Sequence, residues 1–273
     1  MSLRISYCAA AVALMAACSN AAERGGASVE NAELALQEAA LTSQLDAMIA
    51  DVADRNSRFD IGQGFENAAE QLKLQLNQEL PCASVTRQGS MLSIVYAASS
   101  ATCSLYGRTL AGEHTVRVMR NADNEVSVHH EFSAFRDTRL SLSGSADVTW
   151  SRTSPSRRVV HALSFLVLSG ENAGVTGESN GDSTQQTLDD GVRINGLRDW
   201  HSSRGVYELD MQAIDQRFAD SVPQFGAYAL TLPTDETLTL AFSRIDTDTI
   251  RVAVQGAQQD LSFVVRPDGS IAR

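Results

Sequence analysis

The sequence predicts a mainly β protein, an antiparallel meander forming a curved sheet or sandwich, with an N-terminal two-helix segment. Apolar residues recur at helical spacing between residues 29 and 80. From Cys82 onward apolar and polar residues mostly alternate, which is the period of a half-buried strand. Short turns such as Gln255-Gly256 separate these runs, so strands that are consecutive in the chain are expected to pair.

The composition indicates a protein that folds around a hydrophobic core. Of the 273 residues, 43% are hydrophobic, and 22 basic against 33 acidic residues give a net charge of -11. These values exclude a collagenous or disordered chain. Because phosphate binding needs a basic surface, the acidic balance also argues against nucleic acid as a partner.

The two helices are expected to form a helical hairpin over residues 29–80 or to cover the rest of the chain as a lid. Asp60 and Gln63 have the spacing of a capping box at the start of the second helix, and Pro81 ends it. The apolar positions are Leu34, Leu41, Leu45, Met48 and Val52 in the first helix and Phe65, Ala68, Ala69, Leu72 and Leu76 in the second.

An antiparallel β domain is expected over residues 81–273. Its predicted strands span residues 90–96, 114–120, 125–132, 139–143, 146–151, 159–168, 206–211, 227–232, 237–243, 249–254 and 261–265. Residues 212–218 are the one segment of this region where a single helical turn is also considered.

Residues 1–17 have the features of a signal peptide, with Arg4 before an apolar stretch too short to span a bilayer. The segment Leu14-Met15-Ala16-Ala17-Cys18 resembles the lipobox of bacterial lipoproteins. The resemblance implies that Cys18 starts the mature chain and carries acyl chains, that residues 18–28 form a lipidated tether, and that Ser19 favours the outer membrane. The alternative is an ordinary secretory signal and a secreted or periplasmic protein.

Cysteine usage predicts one disulfide. Cys8 leaves with the signal peptide and the lipid occupies Cys18, so Cys82 and Cys103 remain as a pair in an oxidising compartment. Closing a loop of about 20 residues is expected to stabilise the fold by about 3 kcal/mol.

Ser179 lies in the sequence Gly177-Glu178-Ser179-Asn180-Gly181, which matches the nucleophile-elbow pattern of α/β-hydrolases. That chemistry needs a helix directly after the serine, whereas a polar, β-prone run follows here. We therefore expect a plain glycine-rich loop.

Three histidines, His114, His130 and His161, share strand faces with apolar residues. A three-residue loop over residues 121–123 would set His114 directly opposite His130. Three imidazoles facing one core could bind a metal ion. Buried neutral histidines bonded to their neighbours are the expectation we prefer, because no dedicated metal-binding spacing occurs.

A basic run contains Arg152, Arg157 and Arg158, which could clamp an anionic lipid head group or a glycan. A solvated loop between strands is the alternative that we prefer. The sequence predicts neither a catalytic residue nor a cofactor, because it lacks a phosphate-binding glycine loop, a zinc-protease motif and paired redox cysteines.

These features predict an envelope lipoprotein, held to the membrane by its lipid, that works as a non-enzymatic binding or structural β domain. Residues 81–151, with Cys82, Cys103, Gly144 and Trp150, resemble a β domain of uncharacterised bacterial lipoproteins, which implies no activity. The expected partners are an envelope protein, a glycan or a lipid. Alternatives are a carrier of an apolar or lipid ligand in a curved sheet, and a hydrolase or metal-dependent enzyme.

Overall fold

The computed structural model describes residues 26–56, 59–97, 103–105, 108–150, 156–170 and 172–271. Two helices, α1 (Val29–Arg55) and α2 (Phe65–Glu79), precede a sheet of 14 strands. The strands are β1 (Ser84–Gln88), β2 (Met91–Tyr96), β3 (Cys103–Leu105), β4 (Arg108–Arg120), β5 (Val126–Arg136), β6 (Leu140–Trp150), β7 (Arg157–Val167), β8 (Thr176–Thr187), β9 (Gly191–Ser202), β10 (Gly205–Arg217), β11 (Phe225–Thr231), β12 (Thr237–Arg244), β13 (Ile250–Gln255) and β14 (Leu261–Val265).

The sheet is an antiparallel meander, which confirms the predicted fold class. From β4 to β14 each strand pairs with the next strand of the chain, and β2 joins β1 to β4. The short strand β3 pairs only with the first residues of β4. The predicted disulfide is also present, since Cys82 and Cys103 are bonded with an Sγ–Sγ distance of 2.09 Å.

Helix α1 lies inside the curve of the sheet. The Ser28 hydroxyl caps its first turn by accepting from the backbone N–H of Asn31 at 3.1 Å. From Ala32 onward most of its residues are buried, and it contacts β6 and β9 to β12. Its many alanines let the helix backbone approach the strands closely, so α1 forms the centre of the core.

Helix α2 packs on a different part of the sheet, against β1, β2 and β4. Its buried stripe consists of Ala68, Ala69, Leu72 and Leu76, which are four of the five apolar positions predicted. The main contacts of both helices are therefore with strands. No helix among the described residues combines the length and hydropathy needed to cross a membrane.

Two β-bulges bend the sheet around α1. The pairing register shifts at Ala134 on β5 and at Ala213 on β10, and both alanines have positive φ values, 46° and 49°. A glycine lies against each bulge, Gly112 beside Ala134 and Gly226 beside Ala213, where a Cβ would overlap the bulged backbone. Bulges with facing glycines increase local twist and curvature, so these positions account for the curl of the sheet.

The structure corrects three details of the predicted strands. Residues 212–218 contain no helical turn, because the bulge at Ala213 produced the irregular pattern there. The segments predicted at 139–143 and 146–151 are one strand, β6, which passes through Gly144. Strands β1, β3, β8 and β9 were not predicted; in β8 the inward side chains include Ser179, Ser183 and Gln185, which give no hydrophobic signal.

Candidate functional site

Polar groups of α1 bind the sheet deep in the core. The Nη1 of Arg198, on β9, donates to the backbone oxygen of Thr42 at 2.8 Å, and its Nη2 pairs with the carboxylate of Asp46. Both side chains are buried, and burial lowers the pKa of Arg198 to about 10, which leaves it charged at neutral pH. The Arg198 Nε and Asp46 Oδ2 have no partner among the described residues.

Glu38 is a second buried anchor of α1. Its carboxylate accepts from the indole N–H of Trp200 at 3.0 Å and from Arg204 at 3.2 Å. Burial raises the pKa of Glu38, while the bonds from Trp200 and Arg204 act in the opposite direction. Trp200 also stacks on Tyr207 with ring centroids 5.0 Å apart, so the anchor belongs to the aromatic core.

The basic run predicted as an anion clamp is divided between the two faces of the sheet. Arg157 is buried on the inner face, where it donates to Gln185 Oε1 at 3.1 Å and to the backbone oxygen of Ala50 at 3.2 Å. Arg158 is exposed on the outer face and forms a two-point ion pair with Asp182. Arg152 lies outside the described residues, and so does Cys18.

Two of the three predicted histidines meet in the core. The Nε2 of His114 and the Nδ1 of His130 are 3.0 Å apart, and both rings are buried. The expected strand register was wrong by two residues. His130 lies opposite Val116 and His114 lies opposite Phe132, because the β4–β5 loop spans residues 121–125 rather than 121–123. The pair therefore forms diagonally across the two strands.

The third histidine, His161, lies apart from this pair. Its Nε2 is 3.3 Å from the hydroxyl of Ser179 on β8, and both side chains are buried. In the sheet, His161 and His130 are separated by Ala146 on β6. Burial lowers the pKa of His161 to about 4. Among the described residues no group of three or more His, Cys, Asp or Glu side chains is placed to hold a metal ion.

The sequence around Ser179 has a packing explanation. Instead of a loop, it forms the middle of strand β8, where Gly181 faces His161 and Gly177 faces Phe165. A Cβ at either glycine would overlap the opposing ring. The two glycines therefore make room for aromatic side chains, and Ser179 is fully buried within a strand rather than presented on a sharp turn.

Helix α1 borders cavities of different size. One of about 270 Å³ lies beside Gln37 and Leu41, and one of about 160 Å³ lies beside Asn31 and Leu34. A third, of about 20 Å³, lies between the C-terminal end of α1, the end of α2 and the sheet residues Tyr96, Leu110 and Phe135, and holds about one water molecule.

A groove of about 620 Å³ crosses the outer face of strands β8 to β12. Leu197 and Val206 border it and are unusually open for aliphatic side chains, with 64% and 48% of their surface exposed. Asp199 and Glu208, two carboxylates, lie directly opposite each other on β9 and β10. Like charges in this position destabilise a sheet, so the pair is not explained by folding alone.

The groove is strongly acidic. Asp182 is neutralised by Arg158, whereas among the described residues Asp199 and Asp210 accept hydrogen bonds from the neutral side chains of Asn180 and Gln212, each at 3.0 Å. The guanidinium of Arg198, whose backbone lines the groove, points inward to α1. Sequence reasoning missed this site, although the alternation of Leu197, Asp199 and His201 with buried neighbours marks them as one outer face.

No protein-family model matches this chain, and comparisons with curated proteins and with solved structures find no match.

Proposed function

We propose that this chain is a lipid-anchored, non-enzymatic binding protein of the bacterial cell envelope. The lipobox at Cys18 supports the anchor, and the Cys82–Cys103 disulfide fits an oxidising compartment. The observation that carries the binding role is the outer groove, because exposed aliphatic and unneutralised acidic side chains occur together there.

The groove fits an extended protein segment that carries aliphatic and cationic side chains. Leu197 and Val206 supply apolar surface, which contributes about 25 cal/mol for each Å² removed from water. Asp199, Glu208 and Asp210 supply negative charge that complements Lys or Arg and speeds encounter with such a partner. A partner cation between Asp199 and Glu208 would relieve their mutual repulsion.

The anchor is tested by metabolic labelling with a palmitate analogue in the native host. The wild-type chain is expected to incorporate label and to fractionate with the outer membrane, and a Cys18→Ala variant is expected to lose both properties. A wild-type chain that remains unlabelled would contradict the lipid anchor without affecting the groove.

The groove is tested by placing a photo-crosslinking amino acid at position 197 in cells and, as a control, at position 166. Leu166 is an exposed residue on the outer face of β7, away from the groove. We expect a discrete protein adduct from position 197 and none from position 166. Adding Asp199→Asn and Glu208→Gln should abolish the adduct, and an adduct insensitive to these changes would contradict the proposed partner chemistry.

A further inference from the structure

The hydrogen bond between His114 and His130 leaves a proton without an acceptor. In a neutral pair, one imidazole N–H donates across the 3.0 Å contact and the other ring carries its proton on the far nitrogen. Both far nitrogens, His114 Nδ1 and His130 Nε2, are buried and lack partners among the described residues. A buried donor without an acceptor is costly, which indicates a role beyond packing.

A second added proton cannot be accommodated in this geometry. When one extra proton is added, one of the two facing nitrogens carries hydrogen and the other keeps its lone pair, so the hydrogen bond between the rings remains. With two extra protons, both facing nitrogens carry hydrogen, so the bond is lost and two imidazolium cations face each other at 3.0 Å. His114 also stacks on Phe132 at 4.8 Å, and this apolar wall offers no hydrogen-bond acceptor to either imidazolium.

The charges around the pair also oppose protonation. Burial and Arg55 lower the pKa of His114 to about 3, and burial followed by His114, His129 and Arg157 lowers the pKa of His130. Arg55 is bonded to Asp51, one turn earlier in α1. Among the described residues, the titratable and charged groups near the pair include Asp51, Asp54 and Arg55 of α1, Tyr96 of β2, His129 of β5, Asp147 of β6 and Arg157 of β7.

We propose that the His114–His130 pair is a proton-operated latch for the C-terminal end of α1. When both histidines are protonated, the last two turns of α1 and its C-cap, residues 48–56, separate from the residues of β2, β4 and β5 with which they enclose the small cavity, while the sheet from β9 to β13 stays folded. This movement takes Arg55 away from the pair, admits water to the imidazolium groups and exposes Tyr96 and Phe135, which border the small cavity there.

The sign of the pH effect follows from proton linkage. The closed state holds both histidines neutral, whereas in the open state each has an ordinary pKa near 6.5. The closed state is therefore fully favoured above about pH 6.5 and loses its advantage as the pH falls. Two protons enter on opening, so the opening constant should rise about 30-fold from pH 6.5 to pH 5.5 and approach a rise of about 100-fold per pH unit at lower pH.

The test is hydrogen exchange between pH 7 and pH 5, a range in which exposed carboxylates remain ionised. Opening constants for the backbone amides of residues 51–56 are obtained after correction for intrinsic exchange. Between pH 7 and pH 5 we expect the opening constant to rise about 600-fold in wild type and about 25-fold in His114→Phe, and to stay constant when His130→Phe is added. His161→Gln and His201→Gln, a buried and an exposed control, should keep the full rise.

Three results would overturn the latch. One is a wild-type opening constant that does not change with pH, and another is an unchanged slope in the double phenylalanine variant. The third is simultaneous loss of protection in residues 250–254 of β13, which would indicate ordinary acid unfolding. The wild-type comparison of residues 51–56 with residues 250–254 decides the locality of opening even where a variant fails to fold.

Discussion

Trp200 donates its indole N–H to the carboxylate of Glu38 across 3.0 Å, and this bond joins β9 to α1 inside the curved sheet. Together with the Arg198–Asp46 pair, it fixes both the depth and the rotation of α1. The helix is thus positioned by directional bonds at its polar residues, while its alanines supply close packing.

We expect Trp200→Phe to lower the free energy of unfolding by about 1–3 kcal/mol, because Glu38 loses a donor while remaining buried. Urea denaturation followed by circular dichroism measures the change. Trp150→Phe is the matched control, since Trp150 is only partly buried and makes an edge contact with Phe59. Equal losses in the two variants would contradict an anchoring role for Trp200.

We expect Arg198→Met to destabilise the protein by about 3–5 kcal/mol, because it leaves the carboxylate of Asp46 buried without its cation. The double variant with Asp46→Leu should lose less stability than the sum of the two single variants. A double-mutant cycle in urea measures this coupling. Strictly additive effects would show that the two side chains do not depend on each other.

We expect Gly181→Ala to destabilise the protein by about 1–3 kcal/mol, because the added Cβ overlaps the ring of His161. In a His161→Ala background the same substitution should have little further effect, since the obstructing ring is absent. Thermal denaturation of the four proteins tests this. If Gly181→Ala destabilises the His161→Ala protein as much as it destabilises the wild type, the strain comes from a contact of β8 other than the His161 ring.

We expect replacement of Cys82 and Cys103 by serine to lower stability by about 3 kcal/mol, the value for closing a loop of this length. Reductant should destabilise the wild-type protein by a similar amount and leave the double serine variant unchanged. Sensitivity of that variant to reductant would mean that the effect does not come from this disulfide.

Most strands whose inner residues are apolar could be predicted from the chain, whereas β8, whose inner residues are largely polar, could not. Strands such as β12 bury Leu238, Leu240 and Phe242 at alternate positions, which is a direct hydrophobic signal. Strand β8 instead presents Ser179 and Gln185 inward. Ser179 and Gln185 bond to His161 and Arg157, which are buried on the neighbouring strand β7. The sequence of β8 therefore shows no regular apolar spacing.

The candidate sites show the same division. The periodicity placed His114 and His130 on inner faces, but their contact depends on the length of the β4–β5 loop, which sets the register. The outer groove gathers residues from five strands, and local patterning does not reveal which outward residues become neighbours.

The meander, the two helices and the disulfide follow from the amino-acid sequence, because they depend on local period, turn chemistry and the number of cysteines. The place of α1 at the centre of the sheet, the bond between His114 and His130, and the acidic groove that Leu197 shares with Glu208 emerge only when the chain is packed. These relationships arise from bulges at Ala134 and Ala213 and from strand register, which are long-range consequences of packing.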